Sequence, residues 1–391
     1  MQEIILTIFL LLTLLYVVLI LLYKIRWSNV PNYAIKVCSK EPTSFISVII
    51  PCRNEEDNIS NLLDSIKEQS YPDSLFEVIV VDDFSSDNSK AIIESYVCKN
   101  IQYVSLKDHL IDGTINSYKK KAIEIGISLS KGELILTTDA DCVVNKDWLK
   151  TIAAFYEDFD PDMIVMPVVI EENSNPIEVF QSLDFLSLQG ITGAAVHHQM
   201  HGMCNGANLA YKKDSFFDVG GFDGINHIAS GDDMMLMHKF YAEKKKCVLY
   251  LKAEDVIVKT KAQQSVRAFL NQRIRWASKA DKYQDKTLFP VLLAVYLFNA
   301  SLFILGLLCL FLHSSLMLFD IHLSIQELFA VSLITKSIVE FYFLHTVAAF
   351  FSKKKLLWFF PLFVPFHILY TVIAGWMGKF GQYHWKERKV K

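Results

Sequence analysis

Three acidic pairs and one basic-aromatic cluster carry residue types and spacings that suit chemistry. Asp139 and Asp141 flank a single alanine just after Thr138, which follows the run Glu133–Thr137, so both side chains can reach one cation from one strand end. Hard carboxylate oxygens of this kind suit Mg²⁺ or Mn²⁺. Asp82 and Asp83 follow the run Glu77–Val81 in the same way. Ser85 and Ser86 come next, and an Asx-turn is the plainer use of the same residues. Gly231-Asp232-Asp233 precedes the stretch Met234–Phe240, where either aspartate suits a helix N-cap. Further on, Gln272, Arg275 and Trp276 share one face at helical spacing. The arginine suits bidentate contact with phosphate oxygens, and the indole offers a flat apolar face. An arginine and a tryptophan snorkelling at a membrane surface are the competing use.

These side chains need elements to hold them. Ser44–Pro51 contains the β-branched run Ile46-Ser47-Val48-Ile49-Ile50, which predicts a buried strand. Ile59, Leu62, Leu63 and Ile66 then recur at helical spacing, and Tyr71-Pro72 closes that helix. Glu77–Val81 and Glu133–Thr137 predict two more strands, each ending in acidic residues. Carboxylates at strand C-termini lie where open α/β sheets bind ligands. The middle of the chain, about 250 residues, alternates strand and helix signals in the pattern of an α/β domain.

At 391 residues the chain exceeds one average domain. Its 52% hydrophobic content and mean hydropathy of +0.27 concentrate at the two ends. Ile4–Tyr23 is an uncharged apolar run long enough to cross a bilayer. No basic segment precedes it and no small-residue cleavage site follows, so a retained anchor is expected instead of a cleaved signal. Lys24 and Arg26 place the next segment in the cytoplasm. Three further segments follow, Leu288–Leu312, Leu328–Phe351 and Leu356–Met377, with Lys353, Lys354 and Lys355 marking a cytoplasmic turn. Three full crossings would leave the basic tail (Lys379, Lys386, Arg388, Lys389, Lys391) outside, against the positive-inside tendency. Pro361 and Pro365 allow the last segment to be re-entrant or interfacial instead. A net charge of −3 gives no case for nucleic acid. The seven cysteines are scattered without zinc spacing, which fits a reduced, cytoplasm-facing middle region. His197, His198 and His201 lack the spacing of a metal site and are expected as loop or core histidines.

Pro51-Cys52-Arg53-Asn54-Glu55-Glu56, with Asn58-Ile59, Leu62-Leu63 and Gln69-Ser70-Tyr71-Pro72, resembles the opening of family 2 glycosyltransferases. The resemblance continues through Val81-Asp82-Asp83, Asp139-Ala140-Asp141, Gly231-Asp232-Asp233 and Gln272-Arg273-Ile274-Arg275-Trp276, the QxxRW signature of the membrane-bound branch. A lone DxD is common, whereas five blocks in the family's order, spread over residues 44–280, are specific. The resemblance implies a GT-A nucleotide-sugar-binding domain, α/β with a central mixed sheet, flanked by N- and C-terminal transmembrane helices. The expected organisation is an anchor at 1–26, a GT-A domain at 44–260 and an interfacial QxxRW helix at 261–286. A membrane region at 287–378 and a basic tail at 379–391 complete it.

It also implies roles. Asp139 would lie nearer the nucleotide and Asp141 would ligate Mg²⁺ or Mn²⁺ directly, neutralising a diphosphate leaving group. Asp82 and Asp83, without a choice between them, would contact base or ribose beside the loop of Pro51, Arg53 and Glu55. Lys119 matches a lysine facing the diphosphate, although Lys119-Lys120-Lys121 equally suits a solvated helix start. Asp233 matches the base that deprotonates the acceptor hydroxyl. Asp232, Gln272 and Trp276 would bind acceptor, and Arg275 the diphosphate. Gly206, Asn208 and Gly220-Gly221-Phe222 resemble loops lining the acceptor cleft. The implied reaction is an inverting single displacement from a nucleotide-sugar, a UDP-sugar first among them, to a polysaccharide or lipid. It would occur at the cytoplasmic face of the cell (inner) membrane. Chitin-oligosaccharide and poly-N-acetylglucosamine synthases represent the polymer route, and ceramide and carotenoid glucosyltransferases the non-processive lipid route. A membrane transport subunit with a degenerate transferase domain is a reading of another class, and intact Asp139, Asp141 and Asp233 argue against it.

Overall fold

The computed structural model describes residues 2–35, 41–110, 117–173, 175–228, 231–244, 247–279, 283, 285–311, 315–318, 321–380, 383–385 and 388–390. Leu312, Lys386 and Lys391 of the expected membrane region and tail lie outside them. The chain divides into two compact units, Val30–Glu171 with Ala195–Lys261, and Met1–Asn29 with Glu172–Ala194 and Ala262–Lys391.

In the first unit, buried apolar runs make the strands β1 (Ile46–Cys52), β2 (Phe76–Asp82), β3 (Ile101–Ser105), β4 (Leu134–Thr137) and β5 (Met163–Val165). After β6 (Val168–Glu171) come β7 (Leu209–Lys212), β8 (Val248–Tyr250) and β9 (Val258–Lys261). Seven of them form one sheet in the order β3-β2-β1-β4-β7-β5-β8, and β6 pairs with β9 separately. β1, β2, β3 and β4 run parallel, while β7 is antiparallel to β4 and β5. The sheet is therefore mixed. All seven residues of β2 are buried, as a parallel strand covered on both faces requires.

The helix α1 (Gln2–Asn29) precedes this unit, which then adds α2 (Ile59–Lys67), α3 (Ser89–Tyr96), α4 (Tyr118–Leu129) and α5 (Trp148–Phe159). After α6 (Pro176–His197), most of which belongs to the second unit, come α7 (Lys213–Asp218) and α8 (Asp232–Lys244). α2 buries the expected stripe of Ile59, Leu62, Leu63 and Ile66.

Register decides where the acidic residues emerge. Cys52 pairs with Asp82 and Ile49 with Thr137, so β2 and β4 release their acidic ends at the same edge of the sheet. The opposite end of β1 is locked by a buried polar knot. Ser47 Oγ donates to Glu77 Oε1 at 2.8 Å, and that carboxylate also accepts from the Lys131 N–H at 2.5 Å. Gly132 donates to Ser47 Oγ at 2.8 Å, and a Cβ there would lie 2.7 Å from the Ser47 backbone nitrogen.

The second unit collects α1, most of α6, α9 (Val266–Ala277), α10 (Leu288–Phe311), α11 (Ile325–Phe350) and α12 (Phe360–Phe380). Among the described residues, four helices are long and apolar enough to cross a membrane, at Leu6–Asn29, Leu288–Phe311, Ile325–Phe350 and Lys354–Phe380. Large side chains such as Leu310, Phe311, Leu362 and Phe380 stand exposed on them, as lipid contact requires. The last helix carries Pro365 in its interior yet has the length of a full span. Two residues of opposite charge sit in the interior of α11. Lys336 and Glu340, one turn apart, pair with each other, and Tyr16 of α1 donates its hydroxyl to the same Glu340 oxygen. Burying such charges among apolar helices is tolerable only with partners of this kind.

Asn208 is one position where fold and site expectations part. It is fully buried, donates from Nδ2 to the carbonyls of Pro167 (2.8 Å) and Val256 (2.7 Å), and accepts from Trp148 Nε1 at 3.1 Å. An amide engaged on every side ties segments together and does not line an acceptor cleft. Asn208→Ala should therefore cost about 2–4 kcal/mol by leaving buried donors and acceptors unpaired. A clear fall in unfolding temperature in detergent is expected, and an unchanged one would refute the role.

Candidate active site

At the end of β4, Lys119 organises the carboxylates. Its Nζ donates to Asp139 Oδ1 at 2.7 Å and lies 3.3 Å from Asp232 Oδ2, joining the strand end to the first residue of α8. Burial disfavours the ammonium, but Asp139 and Asp232 outweigh it and carry its pKa well above that of an ordinary lysine. Asp141 stands beside them, with Thr260 Oγ1 donating to its Oδ2 at 3.4 Å and Cys142 Sγ 3.7 Å from its Oδ1. Burial and the charges of Asp141 and Asp139 push the Cys142 thiol far up, which keeps it protonated.

Lys120, next in sequence, does something else. It is 1% exposed and donates to the carbonyls of Ile225 and Ile228, both at 2.7 Å; burial lowers its pKa to about 8. Lys239 of α8 caps the preceding turn, donating to the carbonyls of Gly220 (3.1 Å), Gly221 (2.7 Å) and Asp223 (3.0 Å). The lysine run is thus no solvated helix start: Lys119 serves carboxylates, Lys120 clamps the loop before Asp232, and half-exposed Lys121 pairs with Glu124. Gly220-Gly221-Phe222 lies within that clamped loop.

Asp233 is half-buried and held at both oxygens. Oδ2 accepts from the Gly206 N–H at 3.0 Å, and Oδ1 from the Met234 N–H at 2.7 Å. Glycine at 206 lets the backbone come close, since a Cβ would lie 3.3 Å from Asp232 Oδ2 and 3.4 Å from Asp233 Cβ. Both aspartates open α8, so the helix-start reading and proximity to Lys119 coexist.

The β1 and β2 ends form a laced pair of loops. Arg53 Nη1 donates to the Asp83 carbonyl at 2.8 Å and lies 3.8 Å from its carboxylate. Asp82 Oδ1 accepts from the Ser85 N–H at 3.2 Å, the Asx-turn arrangement, and Oδ2 from the Tyr103 hydroxyl at 3.4 Å. Burial first, then Asp82, pushes the Tyr103 phenol up to about 12. Glu55 accepts from Asn58 Nδ2 at 2.7 Å, and Pro51 is half-buried in β1. Among the described residues no group of three or more His, Cys, Asp or Glu forms a preformed metal cage, His197, His198 and His201 included.

Gln272, Arg275 and Trp276 lie on α9, in the second unit, where the structure adds residues that the motif spacing does not reveal. Arg273 is buried and donates to Asp184 Oδ2 from Nε (3.0 Å) and Nη2 (2.6 Å), and to Gln272 Oε1 from Nη1 (2.9 Å). Its guanidinium carbon lies 4.3 Å from the centre of the Trp276 ring. Tyr370 of α12 donates to the other Asp184 oxygen. One carboxylate on α6 thereby fixes α9 and α12, and through Arg273 it orients two of the three motif residues. A lone aspartate in the apolar stretch of α6 was the available signal, because a buried charge needs a partner.

The profile of Glycosyl transferase family 2 matches residues 47–220, and that of Glycosyl transferase family group 2 matches residues 134–377, more than half of the chain. The chain is a family 2 glycosyltransferase. Among its relatives is TarS of Staphylococcus aureus strain Mu50, a poly(ribitol-phosphate) beta-N-acetylglucosaminyltransferase. The two are 35% identical over 120 residues, 31% of this chain and 20% of TarS. Glycosyltransferase AglE of Haloferax volcanii is 28% identical over 190 residues, 49% of this chain and 59% of AglE. This glycosyltransferase thus matches less than two thirds of either relative's length. The mannosyltransferase PcManGT of Pyrobaculum calidifontis, solved with GDP-Man and Mn²⁺, superposes with a TM-score of 0.58 at 18% identity. The match covers 96% of this chain and 99% of that one, and it is a likeness of fold, GT-A with flanking helices.

Removing the Asp184 charge should strand Arg273. Asp184→Asn is expected to destabilise the glycosyltransferase by roughly 3–5 kcal/mol, as for other broken buried pairs. Adding Arg273→Gln should recover part of that loss. Additive losses in thermal unfolding of the single and double variants would show that the pair is not coupled.

Proposed function

We propose that this glycosyltransferase moves a sugar from a nucleoside-diphosphate donor to a hydroxyl of a glycan or lipid, with inversion, at the cytoplasmic face of its membrane. The observation that carries the reading is the Lys119 bridge, which joins the donor-side Asp139 to the aspartate adjacent to the proposed base. Asp82 or Asp83, with Pro51, Arg53 and Glu55, would hold the nucleoside. Lys119 would move toward the diphosphate when it enters, since phosphate oxygens compete with carboxylates for an ammonium.

Asp139 and Asp141 fit a divalent cation. One or two carboxylates are the usual protein share for Mg²⁺, so Asp139 and Asp141 would hold the ion while diphosphate and water supplied its other oxygen ligands. When bound, the ion would neutralise the charge that develops on the departing diphosphate. PcManGT, which shares the fold, was solved with Mn²⁺ and GDP-Man, and TarS is named for N-acetylglucosamine transfer. UDP-sugars are the first donors to assay, beside GDP- and dTDP-sugars.

Asp233 acts as the base. The Gly206 and Met234 N–H groups fix its carboxylate plane, and the carboxylate takes the acceptor hydroxyl proton. The freed oxygen attacks the anomeric carbon on the face opposite the diphosphate. The carbon–oxygen bond to the β-phosphate breaks, its electrons leave with the nucleoside diphosphate, and the configuration inverts. Gln272 and Trp276 are proposed to receive the acceptor, and Arg275 to contact diphosphate.

Two variants separate these roles. Asp233→Asn should lower turnover by about 10²-fold or more with nucleotide-sugar affinity nearly unchanged. Asp141→Asn should weaken metal-dependent donor binding as well, and chelation should abolish transfer until Mg²⁺ or Mn²⁺ returns. Near-normal rates from folded Asp233→Asn would remove it as the base, and full activity in excess chelator would remove the metal.

Cys98 offers a test of sidedness because it is exposed on the catalytic unit. A membrane-impermeant maleimide should label it only after intact cells are opened, with Cys98→Ser as the blank. Labelling of intact cells would overturn the cytoplasmic placement.

A further inference from the structure

The segment after β2 holds a residue in a conformation that its type disfavours. Phe84 has a φ of 54°, in the left-handed region where a bulky side chain crowds its own backbone and glycine is the ordinary occupant. Such a conformation persists only where neighbours over-determine it. Arg53 Nη1 holds the Asp83 carbonyl at 2.8 Å and lies 3.5 Å from the Phe84 carbonyl. Ser85 Oγ accepts from the Asn54 N–H at 3.0 Å, and the Ser86 N–H donates to Asn54 Oδ1 at 2.8 Å. With the Asp82–Ser85 turn, every residue from Asp82 to Ser86 is tied down.

The ring so presented is not part of the core. It is 38% exposed and meets Tyr118 edge to face, with centroids 6.0 Å apart. Tyr118 opens α4 directly before Lys119. Phe84 thus follows the β2-end aspartates in the chain and touches the neighbour of the lysine that grips Asp139. An aromatic face standing partly in water between those groups is suited to a flat heterocycle.

We infer that Phe84 is the stacking platform for the nucleobase of the donor, with Tyr118 supporting the ring edge and Arg53 positioning it through the backbone. The inference rests on the nucleoside-diphosphate reading above and assigns the part of that site which recognises the base by its π-face. Stacking of this kind tolerates either a pyrimidine or a purine, so the ring sets where the base lies more than which base it is.

The test uses the full-length protein in detergent, with calorimetric titration of UDP, GDP and inorganic pyrophosphate in the presence of Mn²⁺. Phe84→Gly removes the ring at a position where glycine relieves backbone strain, so its unfolding temperature should not fall. Affinity for the nucleoside diphosphates should fall roughly tenfold, the scale of one lost base–aromatic stack, while pyrophosphate binding stays the same. Phe84→Tyr keeps the ring and should bind within twofold of the unsubstituted chain. Nucleotide affinity within twofold in Phe84→Gly would overturn the inference. So would an equal loss for pyrophosphate, which would make Phe84 a loop-shaping residue only. If the unsubstituted chain bound neither UDP nor GDP, the donor reading itself would fall, and this inference with it.

Discussion

The catalytic unit is governed by the repulsion among carboxylates gathered at one edge of its sheet. Parallel register brings Asp82, Asp83, Asp139 and Asp141 to that edge, and α8 begins with Asp232 and Asp233. Two like charges 4 Å apart repel by about 1 kcal/mol in water and by roughly four times that at a protein surface. Lys119 offsets the repulsion between Asp139 and Asp232, and Arg53 that around Asp83. The knot at Ser47 and Glu77, the Asn208 tie and the two lysine clamps then read as one arrangement. They keep negative charge concentrated where a divalent cation would balance it.

The helical unit obeys the same constraint with fewer polar groups. Two buried carboxylates there each have an opposite partner and a tyrosine hydroxyl: Asp184 with Arg273 and Tyr370, Glu340 with Lys336 and Tyr16. Replacing either pair by apolar side chains would remove what fixes the rotation of each helix, because lipid-facing and helix-facing apolar surfaces are chemically alike. The first pair also sets the orientation of Gln272 and Trp276, so the most specific sequence signature depends on a residue almost ninety positions upstream.

What the sequence discloses here is local. β-branched runs, the apolar stripe of α2 and acidic residues at strand ends depend on neighbours in the chain, and the sheet and most of the candidate site follow from them. What stayed hidden depends on distant partners. Lys119 and Lys120 are identical in type and adjacent, yet helical phase sends one to carboxylates and the other to loop carbonyls. Asn208 matches a cleft loop by sequence, but only the folded chain brings Trp148, Pro167 and Val256 around it. Lys336 and Glu340 vanish inside an apolar segment when hydropathy is averaged. The φ of Phe84 has no signature at all in a one-letter code.

The contact between Tyr16 and Glu340 bears on how the protein is made. A helix carrying a lysine and a glutamate partitions poorly into lipid alone, whereas α1 is uncharged from Ile4 to Tyr23 and enters more readily. α1 is also synthesised first, some 300 residues before its partner arrives. The Tyr16 hydroxyl then supplies a hydrogen-bond partner that the Glu340 carboxylate needs when α11 is packed among apolar helices.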